Sequence, residues 1–349
     1  MLNVSAVREN MPVTREWVYL NTGEGGLLPG RSARSMTSFI RSRTTSGTEG
    51  RIPDYQKRVR RHAAQMLNAV DLFRIIATRH QADSIHFLLK CIRWKNNGTI
   101  LCQNSELIAT HCPRGVACVQ LPTPVTAESL LEEIDENTQL VFVSSIDLNT
   151  GSMLPLRQLS KITHDVGALF MVDASYTAGA ATLDMQDEID ILISEGNRWL
   201  LCPDEICFVY STFKHAYFKP NNQIRSIEHG QDLSPQALPL AGSYHSLRWL
   251  AEQEIESIQA HINLLKTQLI AGIAESDFDL VSPRDHQDIT PMVYFKHQNI
   301  EVQKIRDSLR GQKIVSGAFN GCNVLSLHLF NTPLEIDRTL DALSEILLT

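Results

Sequence analysis

Between Gly167 and Tyr210 the chain gathers a carboxylate, a phenol, a guanidinium and two thiols beside apolar runs able to hold them in place. Asp173 ends the run Ala-Leu-Phe-Met-Val-Asp, so it stands at a strand end, where it caps the following turn or serves a ligand. Tyr176, three residues on, can donate a hydrogen bond to a ligand oxygen. Arg198 follows a second run, Ile-Asp-Ile-Leu-Ile-Ser-Glu. Its guanidinium stays protonated at ordinary pH and is a very poor nucleophile, so it offers charge and hydrogen bonds rather than covalent chemistry. Cys202 has two readings: a thiol activated by the nearby arginine, or a small buried group that fills space, which is preferred. Further upstream, Thr78, Arg79 and His80 precede a helix start, where free backbone N–H groups and the helix dipole attract anions. The basic run Lys57, Arg58, Arg60, Arg61 and His62 could meet phosphate or an acidic partner. It reads better as the solvated face of a helix whose Val59, Ala63, Met66 and Leu67 turn inward.

The elements that must position these groups alternate strand and helix. Three apolar runs within 168–210, bounded by Gly and Pro, suit strands buried on both faces of a sheet. Residues 15–30 read as a short strand and a Gly/Pro loop, in which Asn21, Thr22 and Gly23 either line a pocket or only form a turn. Residues 31–70 read as helical with an interruption at Thr-Thr-Ser-Gly-Thr-Glu-Gly-Arg-Ile-Pro, and 211–241 read as irregular. The segment Ser246 to Glu275 is predicted to be one long amphipathic helix, with Leu250, Ile255, Ile258, Ile262, Leu265 and Leu269 near one stripe. A large α/β domain over 15–240 and a small α+β domain over 241–349, joined by 1–14, are expected.

The pattern Val172-Asp173-Ala174, Ile189 to Glu195, Asn197-Arg198-Trp199-Leu200 and Ile206 to Tyr210 resembles the cofactor half of class V aminotransferases. That family includes cysteine desulfurases and isopenicillin N epimerase-like enzymes. The resemblance runs from about Val18 to the end, and Leu325 to Leu347 is similar to the family's last strand, Asn turn and helix. It implies the fold type I of PLP-dependent transferases, with a mainly parallel seven-stranded sheet between helices and a small α+β C-terminal domain. It also implies positions for pyridoxal phosphate (PLP): Asp173 at the pyridine nitrogen, Tyr176 at the phenolic oxygen, Thr78 to His80 at the phosphate, and Ser243 at a partner subunit's cofactor. The departures from the family are as consistent as the likeness. The Schiff-base lysine falls on Arg198 and the histidine before it on Asn197. The ring-stacking histidine falls on Leu107, with His111 too far along to replace it. The phosphate-loop glycine and second hydroxyl fall on His80 and Ala82, and the carboxylate-gripping arginine on Val324. The glycine-rich turn after the lysine becomes Cys202-Pro203-Asp204-Glu205-Ile206-Cys207.

Losses in independent roles imply a non-catalytic or repurposed homologue without lysine–PLP chemistry, and no covalently held cofactor is expected. One alternative is a PLP-independent enzyme using Arg198, Tyr176, Asp173, His80 and Arg79. Another is an enzyme that holds PLP or pyridoxamine phosphate non-covalently, which the retained Asp173 favours. With 349 residues, 43% hydrophobic and 20% charged, the chain has the composition of a soluble globular protein. A net charge of −7 argues against nucleic acid as a partner. No apolar run is long enough to span a membrane, and the N-terminus lacks an apolar signal core. Seven cysteines without paired spacing suit reduced thiols in a cytoplasmic protein, and no metal site is indicated. A homodimer is expected, because in this fold the cleft lies at a subunit boundary, or else a heterodimer with an active homologue; a small-molecule ligand suits the cleft.

Overall fold

Short strands rich in Val, Ile and Leu form the two sheets of the computed structural model, which describes residues 2–47, 52–69, 74–183, 189–212, 236–284 and 290–348. Seven of them, β2 (Ile75–Thr78), β3 (Thr99–Cys102), β4 (Ala117–Gln120), β5 (Thr138–Ser144), β6 (Leu169–Asp173), β7 (Ile191–Glu195) and β8 (Cys207–Ser211), form one sheet in the order β2-β8-β7-β6-β5-β3-β4. All neighbours are parallel except β8, which runs antiparallel to both β7 and β2. Every residue of β5 and β6 is buried. Phe170 and Val172 enter the larger apolar core, while Leu169 and Met171 point the other way into a second one. A central strand covered on both faces favours apolar residues at successive positions, which is why Leu140–Val143 and Leu169–Val172 do not alternate with polar residues.

A smaller sheet follows the order β1-β11-β12-β10-β9, from β1 (Val18–Leu20), β9 (Asp279–Leu280), β10 (Met292–Lys296), β11 (Ile314–Phe319) and β12 (Cys322–Ser326). The early strand β1, which the sequence placed with the large domain, is an edge of this small sheet and pairs in parallel with β11. After the short helix α1 (Val4–Glu9) and β1, the chain crosses to the large sheet through the loop 21–29 and enters α2 (Gly30–Thr45). Helix α3 covers Ile52–Met66, and its Val59, Ala63 and Met66, with Leu67 just beyond its end, are buried as the amphipathic pattern required.

The long helix expected over Ser246 to Glu275 is two helices. One spans Ala237–Ala251 (α8 of this chain, counting α4 Gln81–Cys91, α5 Ser105–Ala109, α6 Ala127–Glu133 and α7 Leu156–Asp165) and the next spans Ile255–Ala274 (α9). Between them Glu254 adopts a left-handed backbone with φ of 59°. The predicted stripe is real, since Leu250, Ile258, Ile262, Leu265 and Leu269 are all buried. Two partners pull it apart: α8 packs on α2 and α3, whereas α9 packs on β9, β10 and the last helix, α11 (Pro333–Leu347, after α10 at Val302–Gly311). Glu, Gln and Ala are helix formers, so propensity carried no sign of a break that tertiary packing imposes. The irregular stretch expected over 211–241 falls mostly outside the described residues, as does the interruption after Gly47; from Ala237 onward the chain is helical.

Candidate functional site

Strands β6 and β7 end side by side, and the loops beyond them face the small sheet. Asp173, the last residue of β6, accepts a 2.9 Å hydrogen bond from the Ser175 backbone N–H. The Ser175 hydroxyl in turn accepts the Glu195 N–H at 2.9 Å, which ties the two strand ends together. Burial pushes the Asp173 carboxyl above its ordinary range, while Ser175 and Gln81 favour the charged form. The capping role read from the sequence is therefore present in the geometry.

After β7 the chain turns tightly. The Gly196 N–H donates to Ile206 and the Cys202 N–H donates back to Gly196, both at 2.9 Å, with Leu201 at φ 52°. This turn aims Arg198 at the space between the sheets. Its Nε donates to Glu195 Oε2 at 2.9 Å, and Nη2 lies 2.8 Å from the same oxygen. Its Nη1 donates to the Gly23 carbonyl, and its guanidinium stands 4.5 Å from the centre of the Tyr176 ring. Burial works against the charge, yet Tyr176 and Glu195 hold the arginine pKa above its ordinary value. The same burial raises the Tyr176 phenol, with Arg198 opposing. The N-terminal loop crosses close over this turn: the Gly26 N–H donates to the Asn197 carbonyl at 2.6 Å. A β-carbon at Gly26 would lie 2.1 Å from the Arg198 carbonyl oxygen, so the crossing requires a glycine.

Trp199 anchors the turn from behind. Fully buried, it donates from Nε1 to the Leu327 carbonyl at 2.8 Å, and its own carbonyl accepts His328 Nε2 at 3.0 Å. The loop of the large domain and the end of β12 thus hold each other through reciprocal hydrogen bonds.

Between them lies a cavity of about 280 Å³. Tyr176 and Arg198 line it, and so do Asn21, Gly23 and Val324. Other predicted positions lie elsewhere. Thr78 is buried with its hydroxyl 2.6 Å from Ser84 Oγ and donating to the Cys207 carbonyl at 3.3 Å, so it is turned into the strand–helix junction. Arg79 is half-buried and His80, the N-cap of α4, is exposed; neither lines the cavity. Asn197 donates to Asp204 at 2.9 Å. Leu107 and His111 belong to a different region, with Leu107 against the second core and His111 5.3 Å from His86. Thr22 is fully buried outside the lining.

One expectation is corrected. Ser243, which the resemblance sets at a partner subunit's cofactor, lies within α8, fully buried, donating to the Pro239 carbonyl at 2.8 Å. A serine in mid-helix can satisfy its hydroxyl on the preceding turn, which leaves nothing to offer a phosphate. Cys202 follows the preferred of its two readings, a small buried group that fills space, and is not an activated thiol. Burial raises its pKa to about 12, and its Sγ donates to the Leu200 carbonyl at 3.5 Å.

The sequence missed Glu195, Glu24, Tyr294, Phe319 and Ser326. Glu195 had a signal, being the charged end of an apolar strand and three residues before an arginine. The others come from separate strands and loops, and only folding brings them together. Among the described residues no lysine lines the cavity, no group of three or more His, Cys, Asp or Glu is placed to hold a metal ion, and no helix is long and apolar enough to cross a membrane.

A family model described as Aminotransferase class-V matches residues 36–332. A probable cysteine desulfurase of Methanothermobacter thermautotrophicus is 24% identical, with 97% of each chain covered. An apo cysteine desulfurase from Thermococcus onnurineus superposes with a TM-score of 0.82 at 17% identity, covering 99% of this chain and 98% of the other. A mutant of C-DES with glycine covalently linked to its PLP cofactor superposes at 0.85 and 18% identity, covering 97% and 99%. The family match spans the large sheet, the small sheet apart from β1, the turn that carries Arg198, and the cavity wall apart from Asn21, Gly23 and Glu24. The chain belongs to the class-V aminotransferase family.

Proposed function

We propose that this chain is a class-V aminotransferase homologue that does not perform lysine–PLP Schiff-base chemistry, and that its interdomain cavity binds a ligand instead. The carrying observation is the threefold engagement of Arg198, by the Glu195 carboxylate, the Gly23 carbonyl and the face of Tyr176. The position that would present an amine is a structural bridge between the two domains. The residues present do not fit PLP held in the family's manner. Thr78 turns its hydroxyl inward, Ser243 is enclosed in a helix, and a guanidinium fills the position of the nucleophile. Val324 offers no charge to a substrate carboxylate.

The test is the absorption spectrum of the purified protein with added PLP, followed by borohydride reduction and mass spectrometry. This reading expects no internal aldimine band and no fixed pyridoxyl group. An adduct on any lysine of this chain would sink it. A second reading, non-covalent PLP, is favoured by the structural neighbour that is a lysine mutant with glycine linked to PLP, and by the buried Asp173 at the end of β6. Cofactor that survives dialysis and cannot be fixed by borohydride would select it. A homodimer, or pairing with an active relative, belongs to the same proposal.

A further inference from the structure

The charges around the cavity are not balanced alike. Arg198, the cation in its lining, is met directly by Glu195. Glu24, also in the lining, has a side chain that is 49% exposed, and its ion-pair contact to Arg306 is a long 3.7 Å. Beside it, Asn21 Oδ1 and Ser326 Oγ are buried without a hydrogen-bond partner, and both residues line the cavity. The Asn21 amide has a fixed sense, because Nδ2 donates to Glu24 Oε2 at 2.9 Å and the oxygen must then be the free end. A β-carbon on Gly317 would lie 2.5 Å from Asn21 Oδ1 and 3.3 Å from Glu24 Oε1, so two acceptor oxygens converge over one glycine. Buried polar atoms are nearly always paired. An orphaned acceptor on a cavity wall therefore marks where a ligand's donor belongs.

The rest of the wall is apolar or aromatic, from Met292, Tyr294, Phe319 and Val324. Acceptor oxygens with aromatic rings nearby suit a cationic head on a carbon body. A carboxylate would meet Glu24 and the orphaned Asn21 oxygen, with no uncommitted cation in the lining to receive it.

We propose that the cavity binds a small organic ammonium ion that carries no carboxylate. The ammonium lodges against Asn21, Glu24 and Ser326, and the carbon body packs on Met292, Phe319 and Val324. This rests on the reading that no covalent cofactor link fills the cavity. Calorimetric titration of the purified protein with phenethylamine and with phenylalanine, which differ by one carboxylate, tests it directly. The amine is expected to bind at least about tenfold more tightly. Glu24→Gln keeps an oxygen for the Ala318 N–H that Glu24 accepts at 3.1 Å, and should weaken the amine by about tenfold or more. Val324→Arg should shift the preference toward phenylalanine. Equal binding of the two compounds, no amine binding by the folded protein, or indifference to Glu24→Gln would each overturn the proposal. Pyridoxyl trapping reads the other claim separately. An adduct with intact amine preference sinks only the loss of Schiff-base chemistry, and equal binding without an adduct sinks only the ammonium site.

Discussion

His328 ties the pH dependence of folding to the integrity of the domain contact. Its ring is fully buried: Nε2 donates to the Trp199 carbonyl at 3.0 Å and Nδ1 accepts the Leu329 N–H at 2.7 Å. Both nitrogens are engaged as one neutral tautomer requires, so protonation would break the Leu329 bond and bury a charge. Burial lowers the pKa to about 3, with the Trp199 carbonyl opposing and His261 adding to the depression. The unfolded chain, near 6.5, takes up the proton first as pH falls. Stability is therefore full above about pH 6.5 and declines below it, until the folded state also protonates near pH 3. At pH 5, about 1.5 units below the unfolded value, the loss from this residue is roughly 2 kcal/mol at 1.36 kcal/mol per unit. The assay is urea unfolding at pH 7 and pH 5 for the wild type and for His328→Gln. Gln is neutral at both pH values and its amide can still donate. His86, His245 and His261 are also depressed, chiefly by burial, and contribute in both proteins. The readout is therefore the difference in pH sensitivity, not the absolute stability. The variant is expected to be about 2 kcal/mol less sensitive. Equal sensitivity of the two proteins would refute the reasoning.

Arg198→Lys alone is expected to give no multiple turnover of common amino acids with excess PLP. Val324 still lacks the charge-assisted grip on a carboxylate, worth about 1.5–3 kcal/mol, and Thr78 remains turned away; robust turnover would show an otherwise intact site. Gly179→Ala should destabilise by about 2 kcal/mol or more in thermal or denaturant melts. Gly179 has φ of +95°, and a β-carbon there would sit 2.5 Å from the Trp199 carbonyl oxygen; a neutral result would mean the turn yields easily. Light scattering at micromolar concentration should give a dimer mass, and a monomer mass would count against the homodimer.

The large sheet was legible because its central strands are buried on both faces, so runs such as Leu169–Asp173 stand out without any periodicity. The placement of β1 was not, since three residues carry no mark of which sheet they join until β11 exists beside them. Of the site, Arg198 and Tyr176 were readable because they lie near strand ends in one continuous stretch. Their stacking, and the acceptor from Gly23, were not, because nothing local relates residue 23 to residue 198. Ser243 misled for the opposite reason. Ala-Gly-Ser looks like a loop, but Gly242 packs against Met36 and Pro203, where a β-carbon would come within 2.8 Å of Met36 Sδ. A glycine kept for close helix packing and one kept for a turn are indistinguishable in one sequence.

The N-terminal segment meets partners made almost a full chain later. Arg8 donates to the Phe330 carbonyl across 322 positions and pairs with Glu335 at 2.7 Å, Asn331 donates to the Tyr19 carbonyl at 3.0 Å, and β1 waits on β11. During synthesis β1 and the segment before it must therefore remain without their native neighbours until β11 and β12 emerge. The large sheet can assemble in that interval, because its strands all lie between Ile75 and Ser211. The loop 21–29 cannot close over Arg198 with β1 seated until β11 has been made. The order of synthesis thus makes the cavity wall a late feature, and a chain cut short before β11 would keep the strands of its large sheet but lack Gly317, Phe319, Val324 and Ser326 of that wall.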